Sequence, residues 1–216
     1  MGILPAKLPD GEFCISTFIA LIVKVSYTIT MSEQLPPQER YYTIEEYYRL
    51  PEDGPRAELE EGMLLMSTKP SIRHQDIAWG LVVQIGNYFH KKHCKAFYEI
   101  DVQLFADEAT IYSPDIVVVC DRAKITRQQI VGAPDFIIEV GSPGTIGNDF
   151  TKKRFAYERA GVKEYWIVKD PNEIYCYLLN EEGYYVETVY RNEAAIKVQT
   201  FEDLTIDFSR LQLLDL

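Results

Sequence analysis

Cysteine pairs at metal-binding spacing, internal repeats and low-complexity tracts are all missing from this 216-residue chain. Its four cysteines, Cys14, Cys94, Cys120 and Cys176, are scattered with no Cys-x-x-Cys pair, so neither a zinc site nor a disulfide framework is expected. A reducing cytoplasm is the expected location. No membrane span is expected either. The longest apolar stretch, 13–29, is interrupted by Ser16, Lys24 and Ser26 and falls short of the roughly 20 apolar residues a spanning helix needs. Net positive charge is lacking too, and −11 overall speaks against nucleic-acid binding, because phosphate contacts need Lys and Arg. What is present fits one globular domain, since 47% hydrophobic residues can fill a sizeable core and 25% charged residues keep the surface wet.

The charge is unevenly spread. Residues 122–169 hold nine Lys and Arg against five Asp and Glu, a local surplus of four, so any anion-binding part should fall there. The first thirty residues read differently. Lys7 precedes a short apolar run, 18–23, as in a secretory signal, but Asp10 and Glu12 sit where such a signal is positive and no Ala-x-Ala-like site follows. Met31 is followed by a polar stretch resembling an ordinary cytosolic N-terminus. Residues 1–38 are therefore expected to form a tail outside the fold, with translation from Met31 as an alternative, and 39–216 a single domain.

From residue 43 the elements alternate. Thr43-Ile44-Glu45-Glu46 has the capping-box pattern of a short helix that stops at Pro51. Residues 58–66 read as a hairpin turning at Glu61-Gly62. Ser71 caps a long helix whose His74, Ala78, Leu81, Ile85 and Phe89 form one continuous face. Strands are expected over 97–105, 111–119, 133–140 and 164–168, with a helix at 149–160 and a pair of strands, 173–179 and 183–190, turning at Glu182-Gly183. Residues 193–216 read as a final strand and turn. This pattern predicts an α/β (α+β) domain, a central mixed β-sheet flanked by helices.

Two of the apolar strands carry acids. Asp115 opens one and Glu139 sits near the end of the next, and an apolar core does not tolerate a carboxylate without a partner. A metal ion is the partner this arrangement suggests, with lysines and an arginine following on a helix, as metal-assisted phosphodiester hydrolysis requires. Solvated strand-end caps are the plain alternative. His74, near the start of its helix, is a candidate for phosphate contact at the positive dipole end or simply a core histidine. His90 to Lys95 is a basic helix cap. The loop 141–147 only superficially resembles a phosphate cradle, since Asn148-Asp149 stands where a P-loop needs Lys and Ser or Thr.

The ordered set Ala57 to Gly62, Arg73-His74-Gln75, Ser113-Pro114-Asp115, Gly132 to Pro143, then Asp149, Lys153, Tyr157 and Ala160 to Val168 resembles the Uma-two family of restriction endonuclease-like proteins, within the PD-(D/E)XK nuclease superfamily. The resemblance spans roughly 42–180 of the chain. It implies a restriction endonuclease-like core, Mg²⁺ (or Mn²⁺) held by Asp115 and Glu139 with help from the Val140 backbone carbonyl, and DNA as substrate; a homodimer is expected because small cutters of duplexes need two sites. The superfamily places a lysine two residues after the second acid, where this chain has Gly141. Lys153 is the expected substitute, because Asp149, Lys153 and Tyr157 are spaced by four and share one helix face. A simple Asp149–Lys153 helix pair is the alternative. Lys153→Met should then abolish cleavage with little change in melting, and Lys152, about 100° round the helix, should face solvent. Glu58 is a further candidate beside the metal, and a catalytically inactive nuclease-fold module is the alternative to a nuclease.

Overall fold

The computed structural model describes residues 40–214, apart from 52, 53, 55, 67, 68, 107 and 212. The chain divides into two units, Met1–Glu39 and Arg40–Leu216, and every described residue belongs to the second. The expectations for the tail, its apolar stretch and Met31 lie outside the described residues.

Local signals set the first elements. The Thr43 hydroxyl accepts from the Glu46 N–H while the Glu46 carboxylate accepts from the Thr43 N–H, and this reciprocal cap starts α1, Ile44–Tyr47. β1 (Ala57–Glu60) and β2 (Met63–Met66) pair antiparallel around Glu61 and Gly62. Both turn residues have positive φ, 48° and 84°, the conformation a two-residue hairpin turn needs. Ser71 caps α2, Ile72–Phe89, and the predicted face from His74 to Phe89 is buried together with Ile77.

The two strands expected over 97–105 and 111–119 are each broken in two. β3 (Lys95–Tyr98) and β6 (Ile116–Val119) pair in one sheet, whereas β4 (Val102–Gln103) and β5 (Ile111–Tyr112) pair in another. The first break contains Glu99 at φ 48°. The second is Ser113-Pro114, where proline has no N–H for a ladder. The remaining strands are β7 (Ile130–Val131), β8 (Phe136–Val140), β9 (Glu164–Asp170), β10 (Glu173–Leu179) and β11 (Tyr185–Arg191). Residues 193–216, read as one strand and a turn, hold two paired strands, β12 (Ala195–Lys197) and β13 (Thr205–Asp207).

The central sheet has the order β11-β10-β9-β8-β6-β3, with β8 and β9 parallel and the other neighbours antiparallel. A five-stranded sheet runs β2-β1-β5-β4-β7. Strand alternation divides the core. Ile116, Val118, Phe136, Ile138 and Val140 pack with α2 and the β12–β13 hairpin on one face. Val117, Val119, Ile137, Tyr165 and Ile167 pack on the other with Tyr157, which lies on α4 (Arg154–Ala160). The fold is the α+β sheet with a helix on each face that the pattern predicts.

Cys94 and Cys120 form a disulfide, against the expectation of none. The register that pairs Lys95 with Val119 makes the flanking cysteines the next facing pair, and a spacing of 26 residues hides this from any motif. Cys176 is buried and free.

Candidate active site

The antiparallel register of β6 and β8, Ile116 opposite Ile138, carries Asp115 alongside Glu139. Each acid is held by the other's strand. The Asp115 N–H donates to Glu139 Oε2 at 3.3 Å, and the Val140 N–H donates to Asp115 Oδ2 at 2.7 Å. Both residues are buried, with only 9% and 4% exposure. Strand alternation points Glu139 to the same face as Ile137, toward α4.

Lys153 comes down onto Glu139 from that face. Its Nζ donates to Glu139 Oε1 at 2.9 Å and to Glu58 Oε1 at 2.8 Å, with Asp149 Oδ1 at 3.7 Å, and the Tyr157 hydroxyl donates to Glu139 Oε1 at 3.2 Å. The helix expected over 149–160 is not uniform: α3 is a short turn, Ile146–Asn148, followed by a π turn, Asp149–Lys153, and then α4. In α geometry four residues overshoot a full turn by about 40°. The wider π turn undershoots, so the two drifts offset and Asp149, Lys153 and Tyr157 all stay inward, the three buried residues of this segment.

One ammonium thus stands among three buried carboxylates. Burial alone would pull the Lys153 ammonium down, but Glu139, Glu58 and Asp149 outweigh it and hold it well above the usual lysine range. Burial pushes Glu139 well above the ordinary carboxylate range against the pull of Lys153, and raises Asp149 to about 6. The lysine stays charged, and the surplus of acids readily takes up a proton.

Glu58 is also fixed by the Ser113 N–H on Oε1 at 2.9 Å. Two residues along the same strand, Glu60 accepts from the Tyr112 hydroxyl at 2.9 Å and from Lys152. Lys152, expected to face solvent, is half-exposed but ion-paired, because the π turn brings it over β1. Sequence reasoning passed over Glu60, although acids two apart on a strand share a face. It also passed over Glu99 and Asp101, which carried no signal.

His74 is 9% exposed, and its Nε2 lies 3.2 Å from Asp115 Oδ2. Burial opposes charge on this ring, but the Asp115 contact and charge, with Glu99 and the Val140 carbonyl, raise its pKa. Nδ1 is buried without a hydrogen-bond partner among the described residues.

Gly141 sits where the resemblance leads us to expect a lysine, and its surroundings are tight. A Cβ there would lie 2.7 Å from the Ile146 side chain and 3.2 Å from the Lys169 Cα, so no larger residue fits without moving backbone.

The acids line a cleft of about 730 Å³. Six carboxylates reach it, Glu58, Glu99, Asp101, Asp115, Glu139 and Asp149, against four Lys or Arg, so the local basic surplus read from 122–169 does not make a basic cleft. Lys163, Arg159 and Lys169 are spent on Asp135, Glu108 and Glu173. Among the described residues no three His, Cys, Asp or Glu are grouped to hold a metal ion. Two carboxylates, a backbone carbonyl and water are nonetheless the donors Mg²⁺ takes, since it keeps several waters and is usually bound through one or two carboxylates. Asp115 lines the cleft, and its Oδ1 has no protein donor among the described residues.

A family model described as "Uma2: Putative restriction endonuclease" matches residues 44–209. The chain belongs to the Uma2 family. Among solved structures, that of "a putative nuclease belonging to DUF820 from Anabaena variabilis ATCC 29413" is similar at 23% identity, covering 78% of this chain and 96% of that one with a TM-score of 0.63. This likeness shows the fold. No curated protein matches the chain. No helix among the described residues is long and apolar enough to cross a membrane.

Proposed function

We propose that this Uma2 protein is a metal-dependent endonuclease that hydrolyses DNA phosphodiester bonds, with Mg²⁺ or Mn²⁺ held by Asp115, Glu139 and the Val140 carbonyl. One observation carries the reading: a buried ammonium and two strand-borne carboxylates share a contact network on the floor of an open cleft. The ion, when bound, supplies Lewis-acid polarisation of the phosphate and acidifies water.

The chain's own residues do the rest. Lys153 holds a permanent positive charge beside the reacting phosphate and donates to the attacking water or to the developing oxyanion charge. Glu58 and Asp149 keep that ammonium charged and aimed, and with Oε1 committed to Lys153 and Ser113, Glu58 aims the lysine more than it holds an ion. Tyr157 and Lys153 fix Glu139 Oε1, which leaves Oε2 beside Asp115. Two copies acting as a homodimer cut the two strands of a duplex.

The test is cleavage of supercoiled, linear and single-stranded DNA with Mg²⁺, Mn²⁺ or EDTA. Metal-dependent cutting that Asp115→Asn abolishes is the expected result. The complete internal neutralisation of Lys153 favours a second reading, a nuclease-fold module that binds without hydrolysing. Wild type that cuts no DNA with either metal would establish it over the first.

A further inference from the structure

His74 lies outside the strand and helix that carry the acids and lysine, yet it reaches Asp115. Ser71 caps α2 by accepting from the His74 N–H at 3.1 Å, which fixes where the side chain leaves the helix. From there Nε2 stands 3.2 Å from Asp115 Oδ2, the oxygen that also accepts from the Val140 N–H. Oδ2 is thus held from two elements, β8 and α2, and Oδ1 has no protein donor among the described residues. A carboxylate gripped at one oxygen by two groups cannot rotate to swap its oxygens or chelate through both. Groups that orient a metal-binding carboxylate contribute tenfold or more to affinity in well-studied sites.

We infer that His74 is a positioning residue for Asp115: by engaging Oδ2 through Nε2 alone it presents Oδ1 to the cation in the cleft. This rests on the proposed metal-dependent reading. The unpartnered Nδ1 sharpens the inference, because it assigns the role to one end of the ring. Gln carries its amide nitrogen at the reach of Nε2, whereas Asn carries it at the reach of Nδ1.

Mn²⁺ serves as the probe, by calorimetric titration of the full chain. His74→Asn should weaken Mn²⁺ binding about tenfold or more and His74→Gln by no more than about threefold, on the scale of lost metal-site support. The metal-free melting temperatures of the two variants should agree. Equal binding by wild type and His74→Asn overturns the inference. So does equal weakening in both variants together with lowered melting, which marks a packing role. A ¹⁵N-histidine coupling to Mn²⁺ in pulsed electron resonance overturns it as well, since His74 would then be a ligand. Failure of the underlying reading looks different: wild type itself, like Asp115→Asn, would bind no Mn²⁺.

Discussion

Lys153 and Glu139 meet at 2.9 Å although one hangs from a helix and the other stands in the middle of a sheet, fourteen residues earlier in the chain. The contact joins two layers of the fold at one buried point. Removing either partner should therefore disturb stability.

Lys153→Met is accordingly expected to cost about 3 kcal/mol or more in the metal-free protein, since breaking a buried ion pair leaves uncompensated charge on Glu58, Glu139 and Asp149. This replaces the sequence expectation that melting would hardly change. Urea denaturation with EDTA measures it, and added Mg²⁺ should recover part of the loss while cleavage stays absent. An unchanged midpoint would mean that the lysine is not paired as described.

Metal should stabilise the wild type. Two carboxylates brought side by side repel until a cation joins them, and binding to the folded state alone raises its stability by mass action. Thermal scans with increasing Mg²⁺ should show a rising melting temperature, and Asp115→Asn and Glu139→Gln should each erase the response.

Acid should strengthen the metal-free protein in one window. Burial raises Asp149 to about 6 from an ordinary 3.8, with Lys153 pulling the other way, so the folded state keeps a proton that the unfolded chain releases. That contribution is fully present below pH 3.8 and is lost as pH rises through about 6. Denaturation midpoints of wild type relative to Asp149→Asn, taken in EDTA, should therefore fall as pH rises across this window. A rise would show that Lys153 outweighs burial.

Gly141→Lys should not restore a Lys153→Met enzyme. The new side chain meets Ile146 and the Lys169 backbone, a clash on the scale of overpacking, about 1–3 kcal/mol. Cleavage assays on the double variant check this, and recovered activity would show that the loop yields.

Much of the site was legible in the chain because its parts lie in strongly patterned elements. Asp115 and Glu139 stood out as acids inside apolar strands, and the four-residue spacing of Asp149, Lys153 and Tyr157 placed them together. The hairpin at Glu61-Gly62 and the Ser71 cap were equally local signals. What stayed hidden depends on pairing between distant segments. The breaks at Glu99 and Pro114 send half of each expected strand to another sheet, and Cys94 faces Cys120 only through strand register. Glu60 took on meaning once Lys152 and Tyr112 arrived from elsewhere. Charge counted along residues 122–169 misled, because six of those nine cations are ion-paired with carboxylates, four of them with partners outside the segment.

The π turn at Asp149–Lys153 sets a rule about chain length. Each helical residue advances the side chains by about 100°, so deleting one residue here closes the wide turn and rotates one end of the segment against the other. Tyr157 is packed into the core and Asp149 is tied to the loop before it, so no single rotation keeps both and Lys153 in place. Substitutions at exposed positions such as Thr151 leave this intact. An insertion or deletion of one residue, harmless in most surface helices, would take apart the contact between ammonium and carboxylates, so relatives that keep the site should keep the length of this segment before they keep its letters.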